Sequence, residues 1–260
     1  MLRRFASLSG LDGVVHAVST RHGGVSRGPF ESLNVGLHVG DEQAAVLENR
    51  RRLCEAAGIA LDSLIAGAQV LGNAVAWVAE ADRGRGALDA ATALPDTDAL
   101  ITDSRGVSLI VFGADCPLVA LVDPRRGAVG VVHASRRGTL GRVAERAVGA
   151  MQRLLGCEPS NMLAAIAPSI GPCCYEVGDE VLEQAREALP DAGRFFARRN
   201  GRLHLDLWSA IAEQLAAAGV RPDRIELSGI CTRCHADEFF SHRASGGRTG
   251  RFALVLGLTA

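Results

Sequence analysis

Two polar residues with side chains suited to chemistry interrupt the apolar middle of the chain. Cys116 lies in the segment Gly113-Ala114-Asp115-Cys116-Pro117, between two runs of apolar residues, and His133 ends a third run. A thiolate and an imidazole are donors that zinc prefers. An imidazole can also deprotonate a thiol to make a nucleophile. The alternative is structural, with Cys116 a small buried side chain and His133 a satisfied histidine at a strand end.

The three apolar runs predict the elements that position this pair. Residues 107–112, 117–122 and 128–133 are typical of buried strands. The turn Asp123-Pro124-Arg125-Arg126-Gly127 is short enough to join the last two strands as an antiparallel hairpin. Residues 117 and 133 then lie roughly opposite each other. We therefore expect Cys116 and His133 to come within side-chain reach.

The flanking segments predict both helices and further strands. Apolar residues recur at helical spacing from 140 to 155, with Thr139 as the N-cap and Gly156 as the stop. Further helices are predicted at 44–57, 179–189 and 207–218, and further strands at 14–18, 74–78, 162–167 and 252–258. Because strands and helices do not alternate strictly, the pattern favours an α/β (α+β) fold, a layered sandwich of mixed sheets with outer helices. No linker-like stretch divides the chain, so residues 1–260 are interpreted as one domain.

Composition excludes several classes of protein. The 28 basic and 29 acidic residues nearly cancel, so the chain carries no basic footprint for nucleic acid, and the run Arg50 to Arg52 is interpreted as a solvated helix face. No apolar stretch is long enough for a secretory signal after the N-terminal residues or for a membrane span. Seven cysteines scattered through apolar segments suit reduced thiols in a cytoplasmic enzyme.

Three loops carry arginine or histidine and could bind an anion. Arg21 and His22 precede a Gly-Gly pair, Arg136 and Arg137 follow His133, and Arg243 follows His242. Arginine side chains and exposed backbone N–H groups bind phosphate and carboxylate well. Each loop taken singly also fits ordinary surface solvation. Together they favour a local site for an anionic ligand.

Two cysteine pairs are candidates for separate metal or redox sites. Cys231 and Cys234 have the spacing of a zinc knuckle or a redox pair, but the chain has no second pair with that spacing. Cys173 and Cys174 are adjacent, and neighbouring side chains diverge in an extended chain. We therefore predict no joint metal site from either pair.

Segments spread over nearly the whole chain resemble the YfiH family, also called the laccase-domain family. They are Ser19-Thr20-Arg21-His22-Gly23-Gly24-Val25-Ser26, Leu33-Asn34-Val35-Gly36-Leu37-His38-Val39-Gly40-Asp41, Ala114-Asp115-Cys116-Pro117, Val132-His133-Ala134-Ser135-Arg136-Arg137-Gly138-Thr139, Ile170-Gly171-Pro172-Cys173-Cys174-Tyr175-Glu176-Val177-Gly178, Cys231-Thr232-Arg233-Cys234, Phe239-Phe240-Ser241-His242-Arg243 and Thr249-Gly250-Arg251. Their joint occurrence in this order is specific.

The resemblance implies a YfiH-like layered sandwich and a zinc ion held by one cysteine and two histidines. The first two ligands carry over to Cys116 and His133. The third falls on Leu71, which has no donor atom. His22 and His38, on the family-like loops, are the candidate substitutes. Members of the family usually have a tryptophan three residues after the metal-binding histidine, and this chain has Arg136 there.

The resemblance also implies a function, with a small-molecule substrate and a monomeric protein. It implies phosphorolysis of purine nucleosides (adenosine, inosine and methylthioadenosine) by inorganic phosphate, and deamination of adenosine in some members. Arg21, a candidate catalytic residue, Arg137 and Arg243 would contact phosphate and ribose; Asn34 and Glu176 would be polar partners of the nucleoside. The alternatives are a Cys/His hydrolase that acts on an amide or a peptidoglycan precursor, and an inactive member. The segments supply too few histidines for several copper ions.

Overall fold

The computed structural model describes residues 1–189 and 191–259. In this part of the chain the strands are Leu2–Arg3 (β1), Val14–Ser19 (β2), Leu64–Ala66 (β3), Val75–Trp77 (β4), Ala99–Thr102 (β5), Ser108–Gly113 (β6), Leu118–Asp123 (β7), Ala128–His133 (β8), Leu163–Ile166 (β9), Glu176–Val177 (β10), Phe196–Arg199 (β11), Arg202–Leu205 (β12), Ile225–Leu227 (β13) and Phe252–Leu258 (β14). The α-helices of these residues are Gln43–Ala57 (α1), Arg136–Leu140 (α2), Val143–Leu155 (α3), Asp179–Ala188 (α4) and Leu207–Ala217 (α5).

The strands form three sheets in the described residues. One has the order β1-β2-β14-β6-β3, another β13-β9-β7-β8-β5-β4, and the small third one β10-β12-β11. The two larger sheets mix parallel and antiparallel pairs, because β3 pairs with β6 and β4 with β5 in parallel while β7 and β8 are antiparallel. The predicted mixed α/β fold class is thereby confirmed.

The hairpin predicted around the turn at 123–127 is formed by β7 and β8. Leu118 lies opposite His133, one residue away from the expected register. Both faces of these strands are buried, which explains why their sequences are continuously apolar. Val119 and Leu121 face the helices, and Leu118 and Ala120 face the other large sheet. The hairpin therefore lies in the middle of the structure.

Alternation of side chains along the strands builds four layers. Helices α3, α4 and α5 cover the outer face of the six-stranded sheet. Its inner face packs against the five-stranded sheet, whose own outer face is covered by α1. In β6, for example, Leu109 and Val111 belong to the core between the sheets, whereas Ile110 and Phe112 belong to the core under α1. In the described residues, helices therefore cover the outer faces of the two larger sheets, as predicted.

The helix predicted from Leu140 with Thr139 as its N-cap is wrong at its start. Residues 136–140 form the separate short helix α2, whose N-cap Ser135 accepts a hydrogen bond from the N–H of Gly138. The chain then turns at Arg142, which has a left-handed φ of 60°, and α3 begins at Val143. The helical periodicity therefore spans a break between two helices. The stop at Gly156 is confirmed, with a φ of 66°.

Arg50 does not belong to a solvated helix face as predicted. Its side chain is 1% exposed, and its guanidinium donates to the carbonyl oxygens of Val35, Gly86 and Ala87. Burial lowers the pKa of Arg50 to about 10, which leaves it charged at neutral pH. This buried cation joins α1 to two loops and is unavailable to a ligand. In the part of the chain that the structure describes, we find no helix long and apolar enough to cross a membrane.

Candidate functional site

A cavity of about 420 Å³ lies where β6 and β8 end and β7 begins. Its walls combine apolar side chains, a thiol, imidazoles and guanidinium groups. The lining residues are His38, Gln69, Leu71, Phe112, Gly113, Ala114, Asp115, Cys116, His133, Arg136, Ile170, Tyr175, Leu207, His242, Arg243 and Arg251. Cys116 and His133, predicted to meet from the hairpin register, line the same cavity.

The turn that carries Cys116 is held by the carboxylate of Asp115. Asp115 has a φ of 90°, which costs a non-glycine residue roughly 1–3 kcal/mol. Its buried carboxylate accepts hydrogen bonds from the hydroxyl of Thr232 at 2.6 Å and from the backbone N–H of Arg243 at 2.7 Å. These contacts hold the strained conformation and fix the position of Cys116 at the cavity.

His133 is oriented by Asp98, a residue that the sequence analysis missed. The Nδ1 atom of His133 lies 2.7 Å from an oxygen of Asp98, and neither side chain is more than 5% exposed. The same carboxylate accepts hydrogen bonds from the N–H groups of residues 70, 71 and 72. The only sequence signal was a single acidic residue directly before an apolar strand. Thiol, imidazole and carboxylate thus follow one another as in nucleophile–base–orienter triads.

Burial and pairing act against each other on His133. Burial lowers the pKa of its imidazole, but the hydrogen bonds to Asp98 and Cys116, together with the negative charge of Asp98, outweigh it and raise the pKa to about 9. Burial likewise opposes ionisation of Asp98, yet hydrogen bonds from His133 and from the N–H groups of Gly72 and Val70 hold its pKa below the ordinary value. At neutral pH the pair is therefore an imidazolium and a carboxylate.

This ion pair should make metal-free protein less stable as the pH rises. An unfolded histidine loses its proton near pH 6.5, whereas folded His133 keeps its proton up to about pH 9. The stabilisation that the ion pair provides is therefore complete below pH 6.5 and is lost by about pH 9. The loss should amount to about 3 kcal/mol. Urea unfolding of chelator-treated protein at several pH values measures it. In a His133→Gln variant the free energy of unfolding should lack this decrease with pH. Parallel plots of the free energy of unfolding against pH for the two proteins would contradict the ion pair.

The described residues supply two of the three protein ligands that a catalytic zinc ion takes. Leu71 lines the cavity where the resemblance puts the third ligand, and among these residues no other histidine, cysteine or carboxylate forms a compact cluster with Cys116 and His133. His38 lines the cavity and has a pKa lowered to about 4 by burial and by the charges of Arg251 and Arg50, so its imidazole is neutral. His22 does not line the cavity. The donor set as placed does not complete a zinc site.

Replacing Leu71 by histidine should raise the zinc content by up to one ion per chain relative to the unaltered protein. The backbone of Leu71 has a φ of 62°, a conformation that histidine adopts more readily than leucine. The new imidazole would be the third donor beside Cys116 and His133. Elemental analysis after equilibration with zinc measures the change. A Leu71→Asn variant relieves the same strain without an imidazole and should leave the content unchanged; equal zinc in all three proteins would contradict the assignment of Leu71.

Three arginines line the cavity: Arg136, Arg243 and Arg251. Arg243 packs its guanidinium over the ring of Tyr175, 5.3 Å from the centroid, and donates to the carbonyl oxygen of Glu176. Arg137, predicted to bind substrate, is exposed and lies outside the lining, whereas its neighbour Arg136 lies within it. The short helix α2 explains this, since consecutive helical residues point in different directions. Arg136, which stands where the family usually has a tryptophan, therefore lines the cavity.

Three other predicted site residues lie outside the lining. The guanidinium of Arg21 donates to the carbonyl oxygens of Glu31 and Ala236 and packs on a phenylalanine ring. Asn34 is buried and accepts a hydrogen bond from the backbone N–H of Arg251. The carboxylate of Glu176 pairs with an exposed arginine at 202. The structure thus gives Arg21 a loop-bracing role, whereas the side chain of Asn34 and the main-chain oxygen of Glu176 contact two arginines that line the cavity, Arg251 and Arg243.

Comparison with known proteins agrees with this fold. A family model described as multi-copper polyphenol oxidoreductase laccase matches residues 15–259. Purine nucleoside phosphorylase YlmD of Geobacillus stearothermophilus is 44% identical over 247 residues, which cover 94% of this chain and 90% of that protein. Adenosine deaminase RL5, from an unknown prokaryotic organism, is 38% identical over 240 residues, 91% of each chain.

Solved structures give the same result. The crystal structure of YlmD from Geobacillus stearothermophilus superposes with a TM-score of 0.94 at 41% identity, covering 100% of this chain and 99% of that one. The hypothetical protein YfiH of Bacillus licheniformis gives 0.93 at 35% identity, covering 99% and 98%. The molecule is thus a layered α/β protein of the type seen in YfiH. The chain belongs to the laccase-like YfiH family, as the resemblance predicted. The enzyme names of the relatives support an enzymatic function.

Proposed function

We propose that the protein is a purine nucleoside phosphorylase. The observation that carries the proposal is the placement of His133, held by Asp98, in a cavity lined by three arginines. Phosphorolysis needs a site for an anionic nucleophile and an acid for the leaving base, and the arginines and His133 supply these. The cavity volume of about 420 Å³ lies in the range of sites for small ligands. The phosphorylase name of a 44% identical relative supports the same reaction.

The proposed reaction balances with the residues present. A phosphate oxygen bonds to C1′ of the pentose while the bond from C1′ to the purine nitrogen breaks, and that electron pair leaves with the purine. Because Nδ1 of His133 is held by Asp98, its Nε2–H donates the proton to the purine. His133 then regains a proton from the new phosphate ester. The products are a free base and a pentose 1-phosphate, and no step passes through a metal ion.

Dependence on phosphate tests this function. Adenosine, inosine and methylthioadenosine should be cleaved only when inorganic phosphate is present, and pentose 1-phosphate should appear in the same amount as free base. Chromatographic quantification of both products measures this. Free pentose formed at the same rate with and without phosphate would contradict phosphorolysis. Intact nucleosides at high enzyme concentration, with and without zinc, would indicate an inactive member.

The neighbouring Arg136 and Arg137 offer a matched pair for locating the phosphate. Arg136→Ala should raise the KM for phosphate tenfold to a hundredfold, roughly what loss of a charged hydrogen bond of about 1.5–3 kcal/mol produces. Arg137→Ala removes the same side chain from outside the cavity and should leave that KM unchanged. Initial rates at varied phosphate measure both. An effect confined to Arg137→Ala would instead support the role predicted from sequence.

The triad geometry favours a second candidate, a cysteine hydrolase. Cys116 would attack a carbonyl carbon as a thiolate paired with the imidazolium of His133, this imidazolium would protonate the leaving group, and Asp98 would orient the ring. The substrate would be an amide or a peptidoglycan precursor. This reaction needs no phosphate, and an electrophilic substrate analogue would add covalently to Cys116. Deamination of adenosine in the same cavity, the activity in the name of RL5, would be detected as inosine and ammonia.

A further inference from the structure

Four cysteines converge outside the catalytic cavity, although the sequence analysis predicted no joint site. The sulfur atoms of Cys173, Cys174, Cys231 and Cys234 all lie within 4.8 Å of one another. The sulfur of Cys234 lies 3.4 Å from that of Cys174 and 3.7 Å from that of Cys173. Four thiolates around one zinc ion, with bonds of about 2.3 Å, stand roughly 3.8 Å apart, whereas a disulfide needs about 2.05 Å. The spacing fits a metal tetrahedron.

The prediction failed because Cys173 and Cys174 do not lie in an extended segment. The N–H groups of Cys174 and Tyr175 both donate to the carbonyl oxygen of Gly171, which closes a turn. In this turn both adjacent thiols reach the same point. Cys231 and Cys234 occupy a second turn, in which the N–H of His235 donates to the carbonyl oxygen of Cys231. The second pair that appeared to be missing is therefore the adjacent pair.

Backbone contacts join the two turns and surround one sulfur with donors. Ser169 pairs with Cys231, and the N–H of Gly171 donates to the sulfur of Cys231 at 3.3 Å. The N–H groups of Arg233 and Cys234 also contact this sulfur. Donors aimed at sulfur stabilise a bound thiolate and orient it toward a metal. Gly171 is required here, since a Cβ would lie 2.7 Å from the ring of Trp208.

We propose that these four cysteines hold one structural zinc ion, separate from the cavity of Cys116 and His133. Tetrahedral sulfur sites in proteins bind zinc or iron, and a site with four protein ligands is closed and structural. The site braces two walls of the cavity. Thr232, between Cys231 and Cys234, donates to Asp115, and Tyr175, directly after Cys174, lines the cavity under Arg243. The ion fixes both turns at once.

Zinc content tests the proposal on the full chain, purified without chelator and with zinc in the growth medium. A Cys116→Ala/His133→Ala variant lacks the cavity donors and should still hold about one zinc per chain. Adding Cys234→Ser to it should remove most of that zinc, whereas adding Cys54→Ser, at a free cysteine of α1, should not. With cobalt in place of zinc, the first variant should show the visible absorption of tetrahedral thiolate coordination. Zinc retained after Cys234→Ser, or iron found instead, would overturn the proposal.

Thiol reactivity in the unaltered protein covers the case in which the serine variant does not fold. Cys173 and Cys234 are exposed, so a thiol reagent should modify them rapidly in native protein only after zinc is removed with a strong chelator. Release of zinc in step with modification, followed by colour of a metal indicator, supports the site. Fast modification of untreated protein with no zinc released, or a disulfide among these cysteines in mass spectrometry, would contradict it.

Discussion

Replacing Asp98 by asparagine should lower kcat by roughly 10²–10⁴, the range that a positioned general acid or base contributes. The carboxylate holds Nδ1 of His133 and stabilises its imidazolium. An asparagine amide would present either an N–H donor or a neutral oxygen to that nitrogen, so the proton needed by the leaving purine would be lost near neutral pH. Steady-state kinetics with inosine and phosphate measure the effect.

The same exchange two residues earlier provides the control. Asp96 is exposed and has a φ of 48°, which asparagine tolerates, so Asp96→Asn should keep both kcat and stability. Asp98→Asn should also lower the free energy of unfolding, because the carboxylate accepts three backbone N–H groups besides the imidazole. Near-UV circular dichroism identifies variants that fold. A folded Asp98→Asn protein with unchanged kcat would refute the proposed role of the imidazolium.

Cys116→Ala should abolish turnover, with a loss of at least about a thousandfold, as expected when a member of a catalytic unit is removed. Cys116 lines the cavity beside His133 and contributes to the high pKa of that imidazole. The hydrolase needs this thiol as its nucleophile and the phosphorylase needs it as a partner that helps His133 to keep its proton, so the result tests the site and not the choice between them. Progress curves at high enzyme concentration set the lower limit of the residual rate.

Truncation of Cys54 controls for loss of a thiol. Cys54 belongs to α1 and is buried in the core between this helix and the five-stranded sheet. Cys54→Ala should therefore affect stability far more than kcat. The two variants together separate packing from chemistry. Turnover by Cys116→Ala close to that of the unaltered protein would move the chemistry to another part of the cavity, where Arg136, Arg243 and His38 are among the polar groups.

Short-range sequence patterns were sufficient to predict the three central strands and the approach of Cys116 to His133. The strands β6, β7 and β8 are apolar on both faces, and a five-residue turn fixes the register that brings Cys116 to His133. Both signals lie within a few residues of one another. The helix start at Thr139 failed because periodicity does not reveal a break at Arg142, where the backbone turns left-handed.

Residues far apart in sequence account for most of what was missed. Asp98 lies 35 residues before His133, and only the pairing of β5 with β8 brings them together. The cysteine cluster joins turns 60 residues apart. The direction of the five-residue helix α2 determines that Arg136, and not Arg137, lines the cavity. Residue types at these positions were visible in the sequence, but their distances depended on tertiary packing.

The position of β14 has a consequence for how the chain folds. This strand, residues 252–258, lies between β2 and β6 in the middle of its sheet. During synthesis β2 and β6 emerge long before it, and each has an unpaired edge until residues 252–258 have also left the ribosome. Pairings between such distant segments form slowly, and exposed strand edges favour association with other chains. We expect the five-stranded sheet to close only after β14 has emerged, so the nascent chain lacks a finished core on that side throughout the synthesis of residues 1–251.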